Sequence, residues 1–176
     1  KFKIKSKIVM SARKTNEFQP TYVSKFLEKV SKKLKWPKNI KIALLGLAFK
    51  GVPETSDLRG SMSIKVIENI LKVFPKAVLY GYDRLLTKKE VQNLSIKYSP
   101  SISNAMKEAH LVLILNNHND FQKFKVSNKT NLMKKNSIVY DFWNTMDIDQ
   151  ANFTEGVNYI SLGNHALCLK RIESKS

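Results

Sequence analysis

The 176-residue chain carries 31 Lys and Arg against 14 Asp and Glu, a formal net charge of +17, and 43% of its residues are hydrophobic. This composition excludes a disordered or fibrous chain and suits a globular domain whose core needs no disulfides. The single cysteine, Cys168, excludes a disulfide framework and a cysteine-based metal cluster, and it favours a reducing, cytoplasmic compartment. No apolar run has the length of a bilayer and no signal peptide is present, so we expect no membrane contact. Because Lys1 is not a methionine, we expect a piece of a longer protein.

The basic charge predicts an affinity for phosphates, from nucleotides to nucleic acids. The lysines are scattered through nearly every segment and do not concentrate in one stretch. This pattern favours a generally solvated basic surface over a dedicated nucleic-acid face.

The first 48 residues predict a helix followed by a central strand. Residues 1–12 are compatible with a strand, a frayed arm or the end of a longer helix. From Pro20 to Leu34, apolar residues recur at helical spacing, and Pro37 stops this amphipathic helix. Residues 40–48 are almost continuously apolar, which is typical of a strand covered on both faces of a parallel sheet.

The remaining chain alternates helix and strand patterns. Helices are predicted at 61–74, from 87 and at 101–108, with a helical turn carrying Phe121 and Phe124, and strands at 77–82, 95–98, 111–115, 137–140 and 157–161. This alternation predicts an α/β fold, a Rossmann-like doubly wound parallel sheet preceded by an amphipathic helix.

Ligands of doubly wound sheets bind at the carboxyl ends of the strands, so the residues that follow each strand are the candidates for a site. Lys50 comes straight after the buried strand predicted at 40–48 and could place its ammonium group over a phosphate. An exposed loop lysine is the alternative interpretation. The other candidate segments are 81–83, 116–118 and 141–144.

The turn after this strand does not carry a dinucleotide fingerprint. It reads Gly46-Leu47-Ala48-Phe49-Lys50-Gly51 and lacks the three glycines of that motif, so we expect no NAD on this domain. Asp83 follows the second strand of the predicted sheet, where an acidic residue often binds a ribose. It lies far beyond the usual spacing from the glycines, and a turn-capping role is at least as plausible.

The Gly-x-Ala-Phe-Lys motif at 46–50 and the Asp-x-Arg-x-Ser motif at 57–61 are fairly specific in this order and spacing. Two further segments lie at 12–17 and 20–23, and the Tyr-Asp and His-x-x-Phe segments at 82–83 and 118–121 are weak on their own. Together, these six segments resemble the C-terminal part of the UDP-glucose and GDP-mannose dehydrogenases. The resemblance covers nearly the whole chain.

The resemblance implies a division at residue 36. Residues 1–36 would be the end of the central helical region, and residues 37–176 a Rossmann-like domain that binds the nucleotide sugar. Phe49 and Lys50 would contact the substrate near its diphosphate, and Asp57 and Arg59 would order the loop. Asn16 would face the junction between domains.

Two segments depart from the family pattern. Many members carry Asp-Gly-Arg where this chain reads Asp141-Phe142-Trp143-Asn144, so Trp143 and Asn144 would offer a ring and an amide to the substrate in place of the arginine. Residues 116–118 read Asn-Asn-His, closer to members that act on N-acetylated hexosamines. His118 itself is interpreted as a packing or hydrogen-bonding residue.

The family oxidises a sugar primary alcohol to a uronic acid with two NAD and a cysteine nucleophile, and its members dimerise. The resemblance implies that the nucleophile and the NAD site lie upstream of the residues present here, so we assign no catalytic residue and no metal ligand. Cys168 lies in an apolar segment and is interpreted as a buried structural thiol. The chain alone would then bind a UDP-sugar without turning it over.

Two other classes of protein remain open at this point. The charge, together with Phe142 and Trp143 near a strand end, is compatible with a nucleic-acid-binding or adaptor module with a Rossmann-like fold. A regulatory remnant that kept the fold and lost its ligand is the third interpretation.

Overall fold

The computed structural model describes residues 6–123, 126–145 and 153–173. Its centre is a six-stranded, all-parallel sheet in the order β3-β2-β1-β4-β5-β6. The α/β doubly wound prediction is confirmed. The strands are β1 (Lys41–Leu45), β2 (Val78–Tyr82), β3 (Lys97–Tyr98), β4 (Leu111–Ile114), β5 (Ser137–Asp141) and β6 (Val157–Ser161).

Within the described residues, six α-helices and one 3₁₀ helix flank the sheet. They are α1 (Lys7–Lys33), α2 (Met62–Val73), α3 (Lys88–Asn93), α4 (Ile102–Met106), α5 (Asn119–Lys123), the 3₁₀ helix (Val126–Leu132) and α6 (His165–Glu173). Ser61, Thr87 and Ser101 cap the N-termini of α2, α3 and α4 with their side chains, as the sequence predicts.

Both faces of the sheet are buried, which explains the uninterrupted apolar runs. Side chains of alternate strand positions point to opposite faces, so Ile42 and Leu44 pack with α1, α2 and α6 while Ala43 and Leu45 pack with α4 and the 3₁₀ helix. The first layer contains Val23, Leu27 and Ile70, and the second contains Met106 and Val126.

Helix α1 is longer than the sequence predicts. It begins at Lys7, where Ser6 caps it, and runs for 27 residues with Pro20 inside it. The prediction that the helix begins at Pro20 is wrong, because a proline removes one backbone hydrogen bond from a helix but does not by itself end it. Of the undecided segment 1–12, residues 7–12 are helical and residues 1–5 lie outside the described part.

The apolar face of α1 after Pro20 is covered by the domain. Val23, Phe26, Leu27 and Val30 are buried against α2 and α6, while Tyr22 is half-exposed. The exposed apolar side chains of α1 instead precede Pro20 and are Ile8, Val9, Met10 and Phe18.

Two elements were absent from the sequence prediction, α6 and the 3₁₀ helix. The helical turn around Phe121 is present as α5, while Phe124 lies outside the described residues. Strand β1 ends at Leu45, three residues earlier than predicted, because Gly46 takes a positive φ of 81° and turns the chain.

Candidate functional site

The strand order reverses between β1 and β4, and the loops that follow these two strands meet at one edge of the sheet. The first loop spans residues 46–60 and the second spans residues 115–118. In a doubly wound sheet this crevice is where ligands bind. The residues of these two loops therefore form the candidate site.

The first loop is held to the end of β2 by Asp83. The Asp83 carboxylate Oδ2 accepts hydrogen bonds from the backbone amides of Leu47 (2.8 Å) and Ala48 (2.9 Å), while Oδ1 accepts from the amide of Leu85 (2.9 Å). Asp83 is buried, so the sequence interpretation as a turn-capping residue describes its geometry. The first two amides after Gly46 are thus already engaged within the protein.

The second loop holds the first from the side of β4. Asn116 donates from Nδ2 to the carbonyl of Ala48 (3.3 Å), and Asn117 Oδ1 accepts from the amides of Gly51 (3.0 Å) and Val52 (3.2 Å). Gly46 has no room for a side chain, because a Cβ there would lie 2.3 Å from Asn116 Oδ1. The two loops are therefore in direct contact.

Phe49 and Lys50 lie between these anchoring points. The amide of Phe49 donates to the carbonyl of Asp57 (2.8 Å), and its side chain is 49% exposed. The ammonium group of Lys50 makes no hydrogen bond or ion pair with any residue in the described part of the chain. A partly exposed cation thus lies on a constrained backbone at the switch point of the sheet.

Asp57 and Arg59 pair within the same loop. Arg59 donates from Nε to Asp57 Oδ1 (3.0 Å) and from NH2 to Oδ2 (2.8 Å), and the Arg59 amide also donates to Oδ1 (2.8 Å). The hydrogen bonds from the Arg59 side chain and backbone lower the pKa of Asp57. The guanidinium group of Arg59 therefore contacts a residue of its own loop, Asp57.

The hydroxyl groups of Ser61 and Ser63 close the loop on the other side. Both donate to the carbonyl of Leu47, at 2.7 and 2.6 Å, and the Ser61 oxygen also accepts from the Ser63 amide at the start of α2. The helix terminus is consequently capped by the protein itself.

Trp143 and Asn144 follow β5 at the same edge of the sheet. The fully buried Asp141 accepts from the amides of Trp143 (2.8 Å) and Thr145 (2.7 Å) and from the hydroxyl of Tyr159 (3.1 Å). Trp143 donates from Nε1 to the carbonyl of Leu115 (2.9 Å), which leaves its ring 47% exposed.

Phe142 cannot take part in such a surface. It is buried and packs edge-on against Tyr140, with 5.0 Å between the ring centroids. Of the two aromatic residues near this strand end, only Trp143 is exposed to a ligand, because Phe142 points into the core.

A family model described as "UDP-glucose/GDP-mannose dehydrogenase family, UDP binding domain" matches residues 43–148, which include both loops and the turn after β5. The chain belongs to this family. The resemblance inferred from motifs at 46–50 and 57–61 is confirmed.

Three known proteins similar to this UDP binding domain are named as dehydrogenases of UDP-sugars. The UDP-glucose 6-dehydrogenase YwqF of Bacillus subtilis is 30% identical over 72% of this chain, and the UDP-N-acetyl-D-mannosamine dehydrogenase of Campylobacter jejuni is 29% identical over 66%. The structure of the UDP-N-acetyl-mannosamine dehydrogenase Cap5O from S. aureus aligns over 90% of this chain with a TM-score of 0.68 and 26% identity. The chain spans 28% of the length of both curated relatives and 34% of Cap5O.

The UDP binding domain also contains two side-chain contacts to carboxylates that the sequence does not predict. Arg84, after β2, donates to both carboxylate oxygens of Asp120 (3.0 and 3.1 Å), and Glu54 accepts from His118 (2.9 Å). The Asp120 carboxylate raises the pKa of Arg84 by stabilising its charged form. These partners are 36 and 64 residues apart, so no local pattern could have revealed them.

Asn16 lies apart from Phe49 and Lys50. It is exposed on α1 and lines a hollow between α1 and the start of α2, with Gly60 and Ser61 on the opposite side. Asn16, in the part of α1 before Pro20, is therefore next to the end of the first loop.

The remaining candidates fall outside the site. Cys168 is buried on α6, within the core between α6 and the sheet. Among the described residues, no three His, Cys, Asp or Glu side chains are grouped to hold a metal ion. The helices within residues 6–123, 126–145 and 153–173 are each too short or too polar to cross a membrane.

Proposed function

We propose that this domain binds the nucleotide sugar of an NAD-dependent UDP-sugar dehydrogenase that oxidises a primary alcohol of the sugar to a uronic acid. The observation that carries the proposal is Lys50, whose ammonium group has no partner in the described part of the chain and lies beside the switch point of the sheet. A diphosphate there would meet a fixed cation.

The side chains at this edge of the sheet contact different parts of the substrate. Lys50 binds the diphosphate, Phe49 and Trp143 pack their rings against its planar or apolar groups, and Asn144 offers an amide. Asn144 has a positive φ of 51°, a conformation that asparagine tolerates, and the buried Asp141 holds the turn. Asp57 and Arg59 order the loop, and Asn16 faces the junction with the rest of the enzyme.

The oxidation itself requires parts beyond these 176 residues. The chain spans 28% of the length of its curated relatives, and we propose that NAD and the cysteine nucleophile belong to another domain. This domain would contribute binding energy from the nucleotide, which orients the sugar for the reaction. The chain alone is then inactive.

The sugar is proposed to be an N-acetylated hexosamine, with glucose as the alternative. The support is the names of two relatives, the UDP-N-acetylmannosamine dehydrogenases of Campylobacter jejuni and S. aureus, while the B. subtilis relative is a UDP-glucose 6-dehydrogenase. Titration of the full-length enzyme with each UDP-sugar would distinguish them.

The proposal is tested by calorimetric titration of the chain with UDP, GDP, NAD and a short single-stranded oligonucleotide at two salt concentrations. We expect saturable UDP binding that Lys50→Ala weakens about tenfold, because one charge-assisted hydrogen bond is lost. Lys76→Ala is the matched control, since Lys76 lies at the opposite end of the sheet, beside the start of β2. Oligonucleotide binding that falls steeply with salt, without a preference for a mononucleotide, would instead indicate a nucleic-acid module.

We further propose a homodimer of the full-length enzyme built on α1. The supporting observation is the exposed apolar series before Pro20, in which Ile8 is 81% and Phe18 is 55% exposed. Apolar side chains at such exposure are expected at a surface that another chain covers.

A further inference from the structure

The backbone that carries Lys50 is restrained from outside its own loop. On its N-terminal side, Ala48 is bonded through both its amide and its carbonyl, to Asp83 and Asn116. On its C-terminal side, the single oxygen Asn117 Oδ1 accepts from both Gly51 and Val52. Asn117 is therefore the nearest tertiary restraint after Lys50.

His118 adds a second restraint farther along the loop. The amide of Asp120 donates to His118 Nδ1 (3.0 Å), which requires Nδ1 to be unprotonated. The proton of the neutral ring is therefore on Nε2, which lies 2.9 Å from Glu54 Oε1. A buried imidazole thus donates its only N–H to a half-exposed carboxylate of the first loop.

The packing at Gly51 leaves the first loop no freedom to move closer to the second. A Cβ on Gly51 would lie 2.2 Å from both the amide nitrogen and the Cα of His118. The first loop consequently rests on the backbone of the second, and the side chains of Asn117 and His118 hold it there from two points.

We propose that Asn117 and His118 are positioning residues, which hold the loop so that Lys50 is presented to the substrate diphosphate. The proposal rests on the proposed function of the domain. Asn117 and His118 act through Lys50 and need not touch the substrate. Asn117 and His118 belong to the Asn-Asn-His segment whose sequence is closer to members that act on N-acetylated hexosamines. Under this proposal, these two residues serve the phosphate and not the sugar.

The first experiment measures UDP affinity by calorimetry for Asn117→Ala, Asn117→Asp and the control Asn119→Ala. Asn119 is exposed, two residues away, and forms no hydrogen bond with the first loop in the described part of the chain. We expect Asn117→Ala to weaken UDP binding about fivefold. Asn117→Asp keeps the acceptor oxygen but adds a negative charge near the diphosphate, so we expect it to recover only part of the affinity. Equal affinities of Asn117→Ala and Asn119→Ala would overturn the proposal.

A double-mutant cycle separates positioning from a general loss of structure. In the Lys50→Ala background we expect Asn117→Ala to change UDP affinity less than twofold, because the group that it positions is gone. A fivefold effect in both backgrounds would mean that Asn117 acts on the fold and would overturn the proposal.

The contact between Glu54 and His118 is tested by substituting Glu54. Because Glu54 is half-exposed, its substitution opens no cavity in the core. Glu54→Ala and Glu54→Gln both remove a negative charge, but only glutamine keeps an acceptor for His118. We expect the alanine variant to bind UDP about threefold more weakly than the glutamine variant. Equal affinities would show that the His118 contact does not position the loop.

The wild-type titration distinguishes the two levels of inference. Failure of the wild type to bind UDP would overturn the proposed function, and the positioning role with it. UDP binding that the Asn117 and Glu54 variants leave unchanged would overturn the positioning role alone.

Discussion

Trp143 presents a neutral ring at the edge of the sheet where many members of the family present an arginine. Its indole N–H already donates to the carbonyl of Leu115, so only the ring face remains for a ligand. A contact of this kind is made by stacking and dispersion, and it depends little on ionic strength.

This geometry predicts a fluorescence signal for UDP binding. The chain has two tryptophans, and Trp36 lies near the start of β1, where it donates to the carbonyl of Asn136. We expect UDP to change the tryptophan fluorescence of the wild type. This change should be lost in Trp143→Phe and should persist in Trp36→Phe. A change that persists in Trp143→Phe would contradict the proposed contact.

Asp83 is predicted to be a main determinant of stability among the acidic residues. Asp83→Ala leaves the amides of Leu47, Ala48 and Leu85 without their acceptor in a buried setting. We expect the free energy of unfolding, measured in urea, to fall by about 2–4 kcal/mol. The exposed Glu68 on α2 is the control, and Glu68→Ala should change it by less than about 0.5 kcal/mol. Equal losses in the two variants would contradict this role.

The elements that the sequence predicts well are those with an unambiguous local pattern. Strand β4 and helix α2 follow from apolar runs and from the Ser61 cap, and both lie within a residue or two of the predicted bounds. Helix α1 was predicted too short because Pro20 is read locally as a helix start, whereas packing of Val23 and Leu27 against the domain supports the helix through it. Most apolar residues of α6 form one short run at 166–169, and a run of this length does not distinguish a helix from a strand.

The candidate site was predictable only in part, for a related reason. Lys50 is found from its place after a buried strand, which is a local signal. The contacts that fix its loop, from Asp83, Asn117 and His118, join residues more than 30 positions apart, and their partners are backbone groups or a single carboxylate. Such pairs leave no periodic pattern in a sequence.

His165 joins α6 to α1 and to the sheet. Its ring stacks on Phe26 at 3.9 Å between centroids, Nε2 lies 2.7 Å from the hydroxyl of Tyr140, and Nδ1 lies 3.3 Å from the hydroxyl of Tyr22. Burial lowers the pKa of His165, so the folded protein favours the neutral ring.

This burial predicts that stability falls on mild acidification. The unfolded chain binds a proton at His165 near pH 6.5, whereas the folded chain binds it only at a lower pH, so stability is full above that value and decreases below it. We expect urea midpoints to fall between pH 7 and pH 5, and to fall less in His165→Gln. His110, whose pKa burial also lowers, accounts for part of the remaining slope. An unchanged slope in His165→Gln would contradict the prediction.

For the whole molecule, the two halves of α1 have different surroundings. The half after Pro20 belongs to the core of the domain, and the half before it extends apolar side chains into solvent. The exposed apolar side chains before Pro20 form one surface that is suited to association with another chain. The chain as a whole is strongly basic.

We therefore expect the chain to self-associate through α1. Sedimentation at increasing concentration should show an increase in mass that Ile8→Glu combined with Phe18→Glu abolishes, because charges on an apolar interface are costly to bury. Leu167→Glu is the control, since Leu167 is 62% exposed on α6, away from this face. Equal suppression by the control would exclude α1 as the specific surface.

The carboxylate of Asp83 also acts as a tethered competitor for external anions. It is part of the same chain as the amides of Leu47 and Ala48, so its effective concentration at these amides is at least on the order of millimolar. This is higher than the concentration of a dilute free ligand. A free pyrophosphate would have to displace it and then face its negative charge. The turn after β1 is therefore a poor site for a free phosphate, and under the proposed function we expect the diphosphate to bind farther along the loop, at Lys50.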